Sequence, residues 1–372
     1  MARTRDDDAC PGALAVHQAA DGALARVRLP GGMIDAPQLE ALALAAHRFG
    51  SPAMELTSRG NLQVRGITDA GALADAIADA GLLPSPTHER VRNVVASPLT
   101  GRQGGNADVR GLVRGLDAAI QANAQLARLP GRFMFALDDG RGDVSGLGAD
   151  VGLHFLDEDT AALLVAGVDT GVRTGDGVPL LIQVAERFAD IRGTAWRTTE
   201  LDDTTPLLDG LTPTAEPGAV WPPVARPTVG WIPQDDGLVT LGAAVPLGVL
   251  KTRVAEYLAA VGSPMVITPW RSVLVFDLDE EIADTALRVL APLGLVFDDA
   301  SPWLDVSSCT GSPGCAHSAA DVRRDAAAAV HDGSTAAHRH FVGCERACGS
   351  PPIGEVLVAS SGGYEPRATT PD

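Results

Sequence analysis

Apolar and polar residues alternate along Leu24-Ala25-Arg26-Val27-Arg28-Leu29, the mark of a strand with one buried face. On that reading Arg26 and Arg28 lie on the exposed face and are solvated. Asp35 then caps a helix with Pro37 in its first turn, and Leu39, Leu42, Ala43 and Ala46 form its apolar stripe. Two further strands are expected at about 53–58 and 61–66, joined near Gly60-Asn61, and a second helix over about 69–80. This βαββα order is close to the split βαβ of ferredoxin-like domains. Further on, a helix is expected from about 108 to 128, with Val109, Leu112, Leu116 and Ile120 on one face.

The pattern returns. Gly50-Ser51-Pro52-Ala53-Met54-Glu55-Leu56-Thr57-Ser58-Arg59 parallels Gly262-Ser263-Pro264-Met265-Val266-Ile267-Thr268-Pro269-Trp270-Arg271 at an offset of 212. Asp21-Gly22 parallels Asp236-Gly237, and Ala107-Asp108-Val109-Arg110 parallels Ala320-Asp321-Val322-Arg323. Order is kept, so the chain reads as an ancient duplication, with residues 231–296 repeating the first scheme. A second helix of the 108–128 type runs from Ala319 to His331 and ends near Gly333.

The expected class is α+β. Residues 10–85 form ferredoxin-like half-domain 1 and residues 86–202 an α/β domain. A linker over 203–228 holds Pro206, Pro213, Pro217, Pro222, Pro223 and Pro227. Half-domain 2 covers 229–298, and a second α/β domain covers 299–366.

The copies differ where chemistry is expected. At the offset of 212, Thr57, Ser58, Arg59, Asn61, Gln63 and Arg65 face Pro269, Trp270, Arg271, Val273, Val275 and Asp277. The first copy therefore reads as an anion-binding surface. Cys309 aligns with Ser97 and Cys315 with Gln103, so only the second copy offers paired thiols.

Those thiols follow the pattern C-x5-C-x28-C-x3-C, from Cys309 and Cys315 to Cys344 and Cys348, among Gly311, Gly314, Gly343 and Gly349. Glycines fold tightly round a bulky ligand, and four thiolates from two loops suit a [4Fe–4S] cube. Zinc, usually held by C-x2-4-C pairs, and disulfides, usual in secreted chains, are the competing readings, with inert cysteines. Cys10, in Cys10-Pro11-Gly12, stands apart in sequence and is assigned a structural role.

His317, His338 and His340 flank the cysteine loops and are read first as loop or core residues. Asp138 and Asp139, before Gly140, are read as shaping a turn.

The chain has 372 residues, 45% hydrophobic, with a net charge of −18. That charge argues against a nucleic-acid or anionic-membrane surface, yet leaves room for a small basic pocket. No run of 18 apolar residues exists, and the opening Met1-Ala2-Arg3-Thr4-Arg5-Asp6-Asp7-Asp8 has no apolar signal segment, so a cytoplasmic protein is expected. No Gly-x-Gly-x-x-Gly fingerprint follows a strand, which implies a separate electron donor or reductase.

The duplicated half-domains, the segment Leu56-Thr57-Ser58-Arg59-Gly60-Asn61-Leu62-Gln63 and the cysteine pattern together resemble the siroheme-type nitrite and sulfite reductase family, from about Cys10 to Tyr364. The resemblance implies two half-domains about a pseudo-twofold, with a many-carboxylate tetrapyrrole in the cleft beside the cluster. Arg59 matches the arginine of the family's Thr-x-Arg segment, and Arg92 in Arg92-Asn93-Val94-Val95 matches that of Arg-Asn-Val. Arg132 in Leu129-Pro130-Gly131-Arg132-Phe133-Met134-Phe135 matches the first lysine of Leu-Pro-x-Lys-Phe-Lys, and Met134 replaces the second.

That replacement, with Cys10-Pro11-Gly12, Leu29-Pro30-Gly31-Gly32 and Phe135-Ala136-Leu137-Asp138-Asp139-Gly140, looks like the precorrin-3B synthase branch. The branch implies precorrin-3A and O2 as substrates, C20 hydroxylation with γ-lactone formation, and Thr57, Arg59, Asn61, Gln63, Arg92 and Arg132 as tetrapyrrole-binding residues. A mononuclear iron or siroheme is the companion cofactor it allows. The alternative is a siroheme-dependent nitrite or sulfite reductase.

Overall fold

The computed structural model describes residues 10–224, 226–333 and 338–367. The opening segment Met1 to Asp8 lies outside the described residues. The first copy runs β1 (His17–Ala19), β2 (Gly22–Val27), β3 (Met33–Ile34), α1 (Ala36–Phe49), β4 (Ala53–Leu56), β5 (Leu62–Ile67) and α2 (Ala70–Asp79). Then come β6 (Val94–Ala96), α3 (Arg110–Ala122), β7 (Phe135–Asp138), β8 (Val151–Phe155), β9 (Ala161–Val165), β10 (Val168–Thr174) and α4 (Gly177–Ile191). The second copy runs β11 (Gly230–Pro233), β12 (Val239–Ala244), β13 (Val249–Lys251), α5 (Thr252–Ala260), β14 (Met265–Ile267), β15 (Ser272–Leu278) and α6 (Glu280–Leu290). It closes with β16 (Val306–Ser308), α7 (Val322–His331), β17 (Arg339–Val342), β18 (Glu355–Ser360) and β19 (Gly363–Pro366).

Local chemistry sets these elements. The Asp35 carboxylate accepts the Gln38 N–H at 2.8 Å, and the Gln38 side chain accepts the Asp35 N–H at 3.2 Å, a reciprocal cap that starts α1. Leu39, Leu42, Ala43 and Ala46 are buried, as the stripe predicts. The helix expected over 108–128 stops early. Asn123 leaves helical geometry, its side chain accepts the Gln125 N–H, and a 3-10 turn, Ala124–Arg128, follows. Val113 is buried, while Leu112 is only half-buried.

The half-domains exchange strands. One sheet has the order β1-β2-β5-β4-β13 and the other β11-β12-β15-β14-β3, so each copy lends its third strand to its neighbour. Val249, Leu250 and Lys251 pair with Glu55, Met54 and Ala53, and Ile34 and Met33 pair with Met265 and Val266. Apolar faces of both sheets and their helices meet in one core, which holds Leu39, Met54 and Val64 together with Leu241, Val273 and Val275. At the junction Gly32 is obligatory, since a Cβ there would lie 2.0 Å from the Ile267 carbonyl oxygen.

The sheet register corrects the sequence alignment. Met54 pairs with Val64 and Leu56 with Leu62, while Met265 pairs with Val275 and Ile267 with Val273. Leu62 thus corresponds to Val273, one position earlier than the offset of 212 suggests. A one-residue slip in a strand turns every side chain to the other face. The true counterparts are Asn61 and Ser272, Gln63 and Leu274, Arg65 and Phe276. The contrast sharpens: Leu274 and Phe276 join Leu99, Ile232 and Val266 in an apolar cluster, where the first copy has polar side chains.

Residues of the Pro-rich stretch lie against the first α/β unit, with the Thr214 N–H bonded to the Gly171 carbonyl and the Gly218 N–H to the Asp169 carbonyl. The second α/β unit is a four-stranded sheet, β16-β17-β18-β19, with α7 packed on it.

Candidate functional site

Strands β16 and β17 run parallel, with Ser308 beside Phe341. Cys309 and Cys344 follow their C-terminal ends, so both cysteine loops leave the sheet on one side. The Ala319 N–H donates to the Gly343 carbonyl and ties the loops together. The Gly343 N–H points at the Cys309 sulfur at 3.4 Å. Burial, with Cys315 and Cys344 nearby, raises the Cys309 thiol, and burial beside the other three sulfurs raises Cys348. Cys348 thus lies within electrostatic reach of the other three cysteines, and Cys309 of Cys315 and Cys344.

Among the described residues, no three His, Cys, Asp or Glu side chains converge on a single ion. A cube distributes its thiolates over separate irons and needs no such convergence. Arginines from both half-domains reach the cysteine loops, Arg65 while paired with Asp21. Arg65 donates to the Gly314 carbonyl at 2.7 Å and Arg271 to the Gly349 carbonyl at 2.9 Å, each next to a cysteine. Small residues, a backbone N–H on sulfur and flanking cations fit a [4Fe–4S] group.

His340 is fully buried and neutral, pushed down to about 3 by burial and by Arg271. Its Nε2 lies 3.1 Å from the Cys348 carbonyl, an acceptor, so Nε2 carries the hydrogen and Nδ1 accepts from Ser307 Oγ at 2.8 Å. It braces the loop from behind. His317 is exposed.

The polar face of the first half-domain sheet holds Arg26, Arg28, Gln63 and Arg65, with Arg59 and Asn61 at the turn before β5. Expectation and structure part at Arg28, which is only 2% exposed rather than solvated. On this face Cys10 lies against the guanidiniums of Arg26 and Arg28, and Gln63 holds that of Arg26. Nε and Nη1 of Arg28 and Nε of Arg26 are buried without a hydrogen-bond partner. Burial, together with Arg26 and Arg59, brings Arg28 down to about 9. Arg59 is brought down to about 10 by burial and by Arg197. Buried guanidiniums with unused donors are costly, and an anion is the group that would offset them. Arg28 is the residue the sequence reading missed. Its signal was an arginine on a short strand running into Leu29-Pro30-Gly31-Gly32, where the backbone turns inward.

The other expected ligand residues divide. Thr57 Oγ1 accepts the N–H groups of Arg59 and Asn61 at 3.3 and 3.1 Å and sets the turn. Asn61 is 1% exposed, accepts the Leu29 N–H and donates to Asn93. Gln63 accepts from Arg26 at 2.9 Å and donates to Glu55 at 2.8 Å. Asn61 and Gln63 thus have their amides engaged inside the fold, and Gln63 holds Arg26. Arg92 grips Asp117 through two bonds of 2.6 and 2.9 Å and lines a cavity of about 700 Å³ that Arg28 also lines. Arg132 is exposed and lies over the Trp196 ring at 5.1 Å. Met134 is buried in an apolar cluster with Val95, Ala136 and Ala149. Asp138 accepts four backbone N–H groups, from Gly140, Gly142, Val144 and Ser145, and shapes its turn as expected.

No helix among the described residues is long and apolar enough to cross a membrane.

Residues 17–79 match the nitrite/sulfite reductase ferredoxin-like half domain. Over 96% of its length the chain is 28% identical to a precorrin-3B synthase of a Sinorhizobium species and covers 81% of that protein. A ferredoxin–nitrite reductase of Synechococcus elongatus is 34% identical over 127 residues, 32% of this chain and 25% of that one. The Mycobacterium tuberculosis NirA protein shares the fold, with a TM-score of 0.77, 19% identity, and coverage of 92% of this chain and 73% of that one. Residues 17–79 thus resemble the nitrite/sulfite reductase ferredoxin-like half domain, and along nearly its whole length the chain is similar to a precorrin-3B synthase.

Proposed function

We propose that this chain is an oxygen-dependent oxidoreductase of cobalamin biosynthesis, converting precorrin-3A to precorrin-3B by C20 hydroxylation with γ-lactone formation. The observation that carries the reading is the arginine nest, buried Arg28 with half-buried Arg26 and Arg59, in which Arg28 Nε and Nη1 and Arg26 Nε have no partner. A precorrin is a macrocycle rimmed by carboxylates, and guanidinium forks grip carboxylates bidentately. In this reading Arg28 and Arg59 bind carboxylates, Arg26 supports them, and Arg132 guards the rim. Arg92 stays on Asp117 and orders the adjoining cavity. Cys309, Cys315, Cys344 and Cys348 would hold a [4Fe–4S] cluster, which supplies electrons one at a time. Two electrons from an external donor and two protons balance the reaction: one oxygen atom enters the product and the other leaves as water.

A siroheme-dependent nitrite or sulfite reductase is the second reading, favoured by the local match to nitrite reductases. Met134 weighs against it, since a buried thioether stands where the family's second lysine would supply charge to a small oxyanion.

The test is a single turnover of cluster-loaded protein with precorrin-3A and labelled O2. One labelled oxygen atom in a lactone product supports the first reading. Sharp tetrapyrrole absorption that survives gel filtration, with nitrite or sulfite turnover and no oxygenated product, supports the second.

A further inference from the structure

Cys10 touches the arginine nest. Its sulfur accepts from Arg26 Nη1 at 3.3 Å and from Arg28 Nη2 at 3.4 Å. Arg59 stands within electrostatic reach of it. Arg28, 2% exposed, keeps two further nitrogens without a partner beside that contact. A thiol is a weak acceptor for a guanidinium, so these donors are held far less strongly than a carboxylate would hold them.

The segment that follows Cys10 is fastened by a carboxylate. The Glu89 carboxylate accepts the N–H groups of Ala13, Leu14 and Ala15 at 2.6, 2.7 and 2.9 Å. The Arg26 N–H donates to the Gly12 carbonyl at 2.9 Å. The clamp therefore begins at Gly12, and Cys10 lies beyond it.

Resting on the reading of the nest as a carboxylate site, we infer that Cys10 is its displaceable plug. The sulfur occupies guanidinium donors that a ligand carboxylate takes over, and the Glu89 clamp keeps the plug close while it yields. Cys10 thereby sets how tightly the nest accepts an anion. No bond is made or broken in the exchange.

The probe is uroporphyrin I, an octacarboxylate porphyrin, titrated into cluster-loaded wild type, Cys10→Ala, Cys10→Ser and Arg59→Ala. Removing the plug should tighten binding by about three- to tenfold, the ratio for one displaced hydrogen bond of ordinary net strength. Cys10→Ser, whose shorter hydroxyl reaches the guanidiniums less well, should fall between wild type and Cys10→Ala. It also carries the test alone if the alanine variant fails to fold, since it must then bind more tightly than wild type. Equal or weaker binding by both Cys10 variants, with binding still weakened in Arg59→Ala, overturns the plug and leaves the carboxylate site standing. No binding by any of the four proteins overturns the site and the plug together.

Discussion

Arg59 and Trp270 occupy the same place in two copies of one turn. The Thr57 N–H bonds the Asn61 carbonyl at 2.9 Å, and the Thr268 N–H bonds the Ser272 carbonyl at 2.9 Å. Gly60 and Arg271, one residue on, both adopt left-handed geometry, with φ of 66° and 59°. Only the side chains differ. Arg59 reaches the arginine nest, while Trp270 donates to the Val224 carbonyl at 2.7 Å and packs beside Met134 and Ala136. Duplication preserved the backbone and divided the chemistry.

Arg59→Ala should weaken uroporphyrin I binding by about tenfold or more, the loss of a charge-assisted hydrogen bond. Iron and sulfide content should stay at wild-type levels. A collapse of cluster content would instead make Arg59 a structural residue.

Cys344→Ser should abolish the cluster, read as loss of iron, sulfide and the broad visible shoulder. A normal iron and sulfide count would remove Cys344 from the ligand set.

Arg28→Met should separate stability from binding. Burial lowers the folded pKa of Arg28 to about 9 from 12.5, so its charge opposes folding at neutral pH. That penalty is relieved as pH rises from about 9 towards 12.5. An apolar side chain of similar length should therefore raise the melting temperature at pH 7, by the equivalent of about 1–4 kcal/mol, and abolish porphyrin binding. A lower melting temperature would show that Arg28 is satisfied by the fold itself.

Asp143 gives a pH prediction. Burial and the neighbouring Asp138 raise its carboxyl to about 7, above the ordinary 3.8. The folded state then binds this proton more tightly than the unfolded chain. The associated stability is complete below about pH 4 and fades as pH climbs through about 7. Asp143→Asn keeps an acceptor for Ser97 Oγ, now 2.6 Å away, and removes the repulsion. Melting curves should show the variant gaining on wild type at pH 8 relative to pH 5. Parallel pH profiles would refute the assignment.

Periodicity and punctuation revealed much of this fold. The Asp35 cap, the stripe of α1, the two β-segments round Gly60 and the turn at Asp138 all lie where residue types place them. The cysteine spacing marked the loops that strands β16 and β17 bring to one side of their sheet. Three features escaped. Strand exchange between copies is a long-range choice, and β3 and β13 are too short to announce a partner. The alignment slipped by one residue because Arg59 and Arg271 are the same residue type at different places in the turn. The burial of Arg28 depends on what covers its sheet face, and alternation names a face without saying whether water or protein lies over it.

The exchange of β3 and β13 makes the protein resemble a domain-swapped dimer whose two members happen to share one chain. Cutting the connecting segment would leave each fragment with an open sheet edge and half a core. Such fragments should be unstable apart and should complement each other when mixed, with a yield that follows their concentration. The connection replaces that dependence on concentration with a fixed local one, so mispairing with other molecules during folding is held down by tethering.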